Sequence, residues 1–97
     1  MKIRLKKFDG NIAYLMRRLG YHPDKKSRKN QLSFSRPLRN GKFPRFHIYY
    51  NSKENVLNLH LDQKAPRYHG ASDHAAEYDG KLVKQEYDRI KSYVSNN

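Results

Sequence analysis

Histidine is the side chain whose ordinary pKa lies nearest neutrality, so two histidines on facing strands are a candidate general base and general acid. His47 and His60 occupy two such arms, Arg45-Phe46-His47-Ile48-Tyr49-Tyr50 and Val56-Leu57-Asn58-Leu59-His60-Leu61-Asp62, each alternating apolar and polar residues with a period of two. With residues 52–55 as the loop, Tyr50 pairs with Leu57, Ile48 with Leu59 and Phe46 with Leu61 on one face. The other face then pairs Tyr49 with Asn58, His47 with His60 and Arg45 with Asp62. In phosphodiester cleavage the two imidazoles would carry the protons, and Arg45 or a lysine would stabilise the phosphorane charge. In plain recognition the same rings would stack on a ligand or hydrogen-bond to it.

Two further constellations compete with that pair. His60, Asp62, His69 and His74, with Asp73 and Glu77 nearby, offer the nitrogen and oxygen ligands that zinc or another divalent metal takes, although their spacing matches no compact motif. No other cofactor is expected. Tyr49, Tyr21, Tyr68 and Tyr78 are candidates for stacking on unpaired bases, against the alternative that they pack at sheet edges. The chain holds no Gly-rich phosphate loop, nucleophile elbow or dinucleotide fingerprint.

Charge narrows the partner. The 97 residues carry a formal net charge of +12, and all of it falls in the first half: residues 1–45 hold fourteen Lys/Arg against two Asp/Glu, whereas residues 46–97 hold seven of each. One-sided charge of this kind suits a polyanion, because each cation that neutralises a phosphate releases a condensed counterion. Nucleic acid, RNA above DNA, is the expected partner, and an acidic protein met by the same basic half is the alternative. The cationic candidates are Arg17, Arg18, Lys25, Lys26, Arg28, Lys29, Arg36, Arg39, Lys42 and Arg45, with Tyr49 beside them. The absence of cysteine removes disulfides, thiolate metal sites and cysteine nucleophiles, and fits a cytoplasmic setting. No run approaches the roughly 20 apolar residues of a membrane span.

Residues 1–8 are either a short strand, with Ile3 and Leu5 alternating against cations, or a basic arm. Ile12, Leu15, Met16 and Leu19 follow helical spacing after Asp9 or Asn11 as N-cap, and Gly20 falls where a C-terminal cap belongs. Residues 22–30 read as a polar loop and the densest basic run, suited to clamping phosphate. Leu32 and Phe34 then alternate with Ser33 and Ser35, and a three-residue turn with a bulge at Gly41 would set Phe34 opposite Phe46 and Leu32 opposite Ile48. Residues 63–78 form a long connection. A last helix capped by Asp79 buries Val83, Tyr87, Ile90 and Val94 and leaves Lys84, Arg89 and Lys91 mostly outside. The expected fold is α+β in one domain: a three-stranded antiparallel meander packed on one face by two helices, in the order α-β-β-β-α.

That order resembles the small domains of HicA-type toxins and, more distantly, double-stranded-RNA-binding domains. The matching pieces are Leu15-Met16-Arg17-Arg18-Leu19-Gly20-Tyr21 leading into the first strand of the meander, then a histidine in the next strand, over residues 11–62. The resemblance to HicA-type ribonucleases implies RNA as substrate and a catalytic role for His47, here preceded by Pro44-Arg45-Phe46 rather than the family's Gly-Ser.

Overall fold

The computed structural model describes residues 1–5, 10–25, 31–63 and 80–96. Their elements are β1 (Lys2–Arg4), α1 (Ile12–Arg18), β2 (His22–Pro23), β3 (Gln31–Pro37), β4 (Arg45–Asn51), β5 (Val56–Asp62) and α2 (Gly80–Asn96). The strands make one antiparallel sheet in the order β1-β5-β4-β3-β2. The described residues therefore form an α+β fold with two helices, and the expected meander is its centre. The sheet has five strands among the described residues rather than three, because β1 and β2 extend it at both edges.

The β4–β5 ladder has the register that alternation dictates, with Ile48 opposite Leu59 and His47 opposite His60. Its turn is organised by Asn51, whose side-chain oxygen accepts from the Lys53 and Glu54 amides, and by Asn55 at φ 56°. Asn55 also ties β1 down: the Leu5 amide donates to its carbonyl at 3.0 Å, and Tyr50 Oη donates to its side chain at 2.8 Å. The undecided segment at the start of the chain is thus a strand over Lys2–Arg4, with Ile3 opposite Leu57 on the apolar face.

The β3–β4 ladder corrects the expected turn. Phe34 lies opposite Ile48 and Leu32 opposite Tyr50, two residues away from the expected pairing, so Ser33 meets Tyr49 and Ser35 meets His47. The tight three-residue turn would have set Pro44 opposite Arg36 inside the ladder, where a residue without an N–H removes a donor. A wider loop over residues 38–44 leaves Pro44 outside, and Gly41 still takes a left-handed φ of 105° within it. A two-residue slip preserves parity, so every side chain keeps its expected face.

Both helices pack on the apolar face. Ile12, Leu15, Met16 and Leu19 of the first helical segment and Ile90 of α2 join Ile3, Leu5, Phe34, Phe46, Ile48, Leu57, Leu59 and Leu61 in one core. Each such side chain stabilises the fold by about 1.5–3 kcal/mol relative to exposure. Asn11 caps α1 by accepting from the Tyr14 amide at 3.0 Å. At the other end the Tyr21 amide reaches the Met16 carbonyl at 2.8 Å, and Gly20 adopts φ 94° close under the aliphatic stem of Arg36. The Asp79 cap lies outside the described residues, and among those described no helix is long and apolar enough to cross a membrane.

A buried polar knot holds the helices to the sheet. Glu86 is 3% exposed and accepts from Tyr21 Oη at 2.6 Å, from Arg36 at 3.2 Å and from Arg89 at 2.8 Å, while Arg89 also donates to the Leu19 carbonyl at 2.7 Å. Burial alone would raise the Glu86 carboxyl, but the hydrogen bonds from Arg89, Arg36 and Tyr21 reverse this and hold it down at about 2. Two expectations change here. Tyr21 is a core residue and not a stacking platform, and Arg36 is engaged on the helix side, while Arg89 stays exposed as expected and pairs with Glu86.

Candidate functional site

The face of the sheet opposite the core gathers most of the remaining chemistry. Register places His22, Ser35, His47 and His60 in one row across β2, β3, β4 and β5. The next row runs Ser33, Tyr49, Asn58 and Lys2, and Arg45 lies opposite Asp62 at the end of the hairpin. Strand alternation alone delivers these groups to one side.

Asp24, just past β2, organises the middle of that face. Its amide donates to the Ser33 carbonyl at 2.8 Å, and its carboxylate accepts from Ser33 Oγ at 2.5 Å and Ser35 Oγ at 2.8 Å. His47 Nε2 lies 2.7 Å from Ser33 Oγ and 3.1 Å from Asp24 Oδ2, while Nδ1 lies 3.3 Å from Asp62 Oδ2. Arg45 Nε donates to the same Asp62 oxygen at 3.4 Å, and its guanidinium lies 4.7 Å from the Phe43 ring centre. His47 is thus held between two carboxylates, with its side chain 13% exposed.

Burial would raise the Asp24 carboxyl, yet the Ser33 and Ser35 hydrogen bonds, with His47 and Arg45 behind them, leave it below the ordinary carboxylate range. Asp62 is lowered chiefly by its bond from His47, against an opposing burial effect and with help from Arg45. His60 is pushed down, first by burial and then by the nearby Met1 α-ammonium, so its neutral form is favoured.

Ser33, His47 and Asp62 fall in the order of a nucleophile, a base and an orienting acid. The hydroxyl proton of Ser33 points to Asp24, however, and Ser33 is 8% exposed in the middle of a strand. With its hydroxyl donated to Asp24, Ser33 is not set to hand its proton to His47 as an activated nucleophile requires.

The three rings meet at a cleft. Tyr49 lies 4.4 Å from His47 and 5.9 Å from His60 between ring centres, the second contact being edge-on. These rings line an open cleft of about 500 Å³ with Asp62, and the cleft also reaches Leu59, Leu61 and Val83. No family model, curated protein or solved structure matches the chain.

The sequence-derived candidates divide between two sides of the molecule. His47, His60, Tyr49, Arg45 and Asp62 come together as alternation requires. Arg17 and Arg18 are exposed on α1 in the helix layer, where Arg18 Nε meets Tyr93 Oη at 3.4 Å. Arg39 and Lys42 are exposed on the β3–β4 loop, Lys25 is exposed just after Asp24, and Arg36 is paired with Glu86. Lys26, Arg28, Lys29, Tyr68, His69, Asp73, His74, Glu77 and Tyr78 lie outside the described residues. Of the metal set, His60 and Asp62 share a face of β5, and among the described residues no three His, Asp or Glu side chains are placed to hold a metal ion. Sequence reasoning missed Asp24 and Lys2. The signal for Asp24 was the pair of small hydroxyls, Ser33 and Ser35, two residues apart on one face and in need of an acceptor.

Proposed function

We propose that this protein binds nucleic acid, RNA in preference to DNA, through the polar face of its sheet. The observation that carries the reading is the cleft where Tyr49, His47 and His60 converge on a strand surface edged by Lys2, Arg4 and Arg45, in a chain of net charge +12. Rings supply stacking surfaces and the marginal cations supply phosphate contacts. Among the described residues no helix lies on this face to enter a DNA major groove, whereas Asn58, His60 and Asp62 offer hydrogen-bonding partners for a 2′-hydroxyl. Titration with labelled RNA at several salt concentrations tests the reading. Affinity should fall linearly on a log-log scale as salt rises, and an affinity indifferent to salt rejects it.

A second reading, a metal-independent ribonuclease of the HicA type, draws on the placement of His60 directly opposite His47 with its ring lining the cleft. Because both nitrogens of His47 are engaged, His60 is the group able to reach a substrate proton, and His47 holds the Asp62 carboxylate beside it. Purified protein would then cut RNA, and His60→Ala would abolish cutting while leaving binding nearly intact. Cutting that survives both His47→Ala and His60→Ala removes this reading.

A further inference from the structure

We infer that the strand taken by this face is single, and that one of its bases leaves the stack to lie on Tyr49 in the cleft between the two imidazoles. The inference rests on the nucleic-acid reading and adds the form of the ligand.

Three observations carry it. Tyr49 is half-buried and flanked by His47 at 4.4 Å and His60 at 5.9 Å, so a planar ligand meets a ring whose orientation is already fixed. The cleft, at about 500 Å³, falls in the size range of small-ligand pockets. Asp24 and Asp62 are both held as carboxylates on this same face, 3.1 and 3.3 Å from the two nitrogens of His47. A duplex laid across the sheet would set its phosphates against those carboxylates. A single strand avoids this by turning a base inward and leaving its backbone to Lys2, Arg4 and Arg45 at the margins. Only an unpaired base has a free face to offer a tyrosine.

The test compares a labelled single strand of about 12 nucleotides, within the usual footprint of single-strand binders, with the duplex of the same sequence, at low and high salt. A single strand carrying a fluorescent aminopurine reports stacking directly, without any variant. The expected result is a preference for the single strand of about tenfold or more, with a change of aminopurine emission on binding. Tyr49→Ala should lose about tenfold in affinity, Tyr49→Phe should stay near the parent, and Tyr14→Ala, at an exposed α1 position, should change nothing. Equal, salt-dependent binding of both forms with silent aminopurine emission overturns the inference and leaves nucleic-acid binding standing. Salt-independent or absent binding of both forms overturns the two together.

Discussion

His47 Nδ1 lies 3.3 Å from Asp62 Oδ2, on the opposite side of the imidazole from Asp24. His60, its neighbour across the ladder, is exposed. Two histidines that sequence alone makes equivalent therefore differ in what they support. His47→Ala strips partners from Asp24 and Asp62 together and should cost about 1–3 kcal/mol. His60→Ala should stay within about 0.5 kcal/mol of the parent. Urea denaturation of the two variants measures the difference, and equal losses would show that the carboxylates around His47 do not depend on it.

Glu86 sets the acid limit of the fold. Its folded-state carboxyl titrates at about 2 against an ordinary 4.5, so the unfolded chain takes up the proton first as pH falls. Stability from this group is full above pH 4.5 and drains away towards pH 2, and the lowered Asp24 and Asp62 carboxyls act in the same direction. Thermal melts at a series of pH values should show the loss concentrated in that window. Glu86→Ala, which leaves the Tyr21 hydroxyl and the partly exposed Arg36 and Arg89 without their shared acceptor, should cost about 1–3 kcal/mol at pH 7.

Tyr21 sets the alkaline limit. Burial and the hydrogen bond to Glu86 push its hydroxyl above the ordinary value of 10, so the folded state keeps a proton that the unfolded chain releases. Its contribution is complete below pH 10 and is lost progressively above it. Tyr21→Phe should flatten the alkaline side of the stability profile and, because one of the hydrogen bonds that hold the Glu86 carboxyl down is lost, weaken the acid side as well.

These contrasts explain which parts of the fold the chain displays openly. The β4–β5 register follows from period-two alternation, because a one-residue slip would bury His47 and expose Ile48. The two-residue strand β2 is too short for any periodicity, so His22 and Asp24 read as loop until the sheet aligns them with Ser35 and Ser33. Glu86 and Arg89 are charged residues on an amphipathic helix, and pattern assigns them to solvent. Only the arrival of Arg36 and Tyr21 from far away in sequence makes the burial of Glu86 favourable, with Arg89 paired to it from the solvent side.

The side of the molecule that binds can be separated from charge as such. Lys2 and Arg45 edge the polar face, and Arg17 projects from α1 in the helix layer. All three belong to the basic first half, so a diffuse electrostatic attraction would weigh them alike. Binding through the sheet face predicts that Lys2→Glu weakens RNA binding and lowers the salt slope by about 0.7 per lost phosphate contact, while Arg17→Glu has a much smaller effect. Filter-binding or anisotropy titrations at three salt concentrations decide between the two patterns.

His60 offers a pH signature that connects the site to its ligand. Its pKa is depressed below 6.5 in the free protein by burial and by the α-ammonium of Met1, so at pH 7 the ring is neutral. Protonation costs stability in sign: the contribution is present above pH 6.5 and is lost as pH falls through the depressed folded value. A bound phosphate backbone beside the cleft stabilises the charged ring and raises that value, so binding should draw in a proton and grow tighter as pH falls below 6.5. His60→Ala should reduce the tightening. The measurement is affinity for one RNA between pH 7.5 and 5.5, with folding checked at each pH. An affinity that weakens on acidification while the protein stays folded, or tightens equally with and without His60, would place the phosphates away from this cleft.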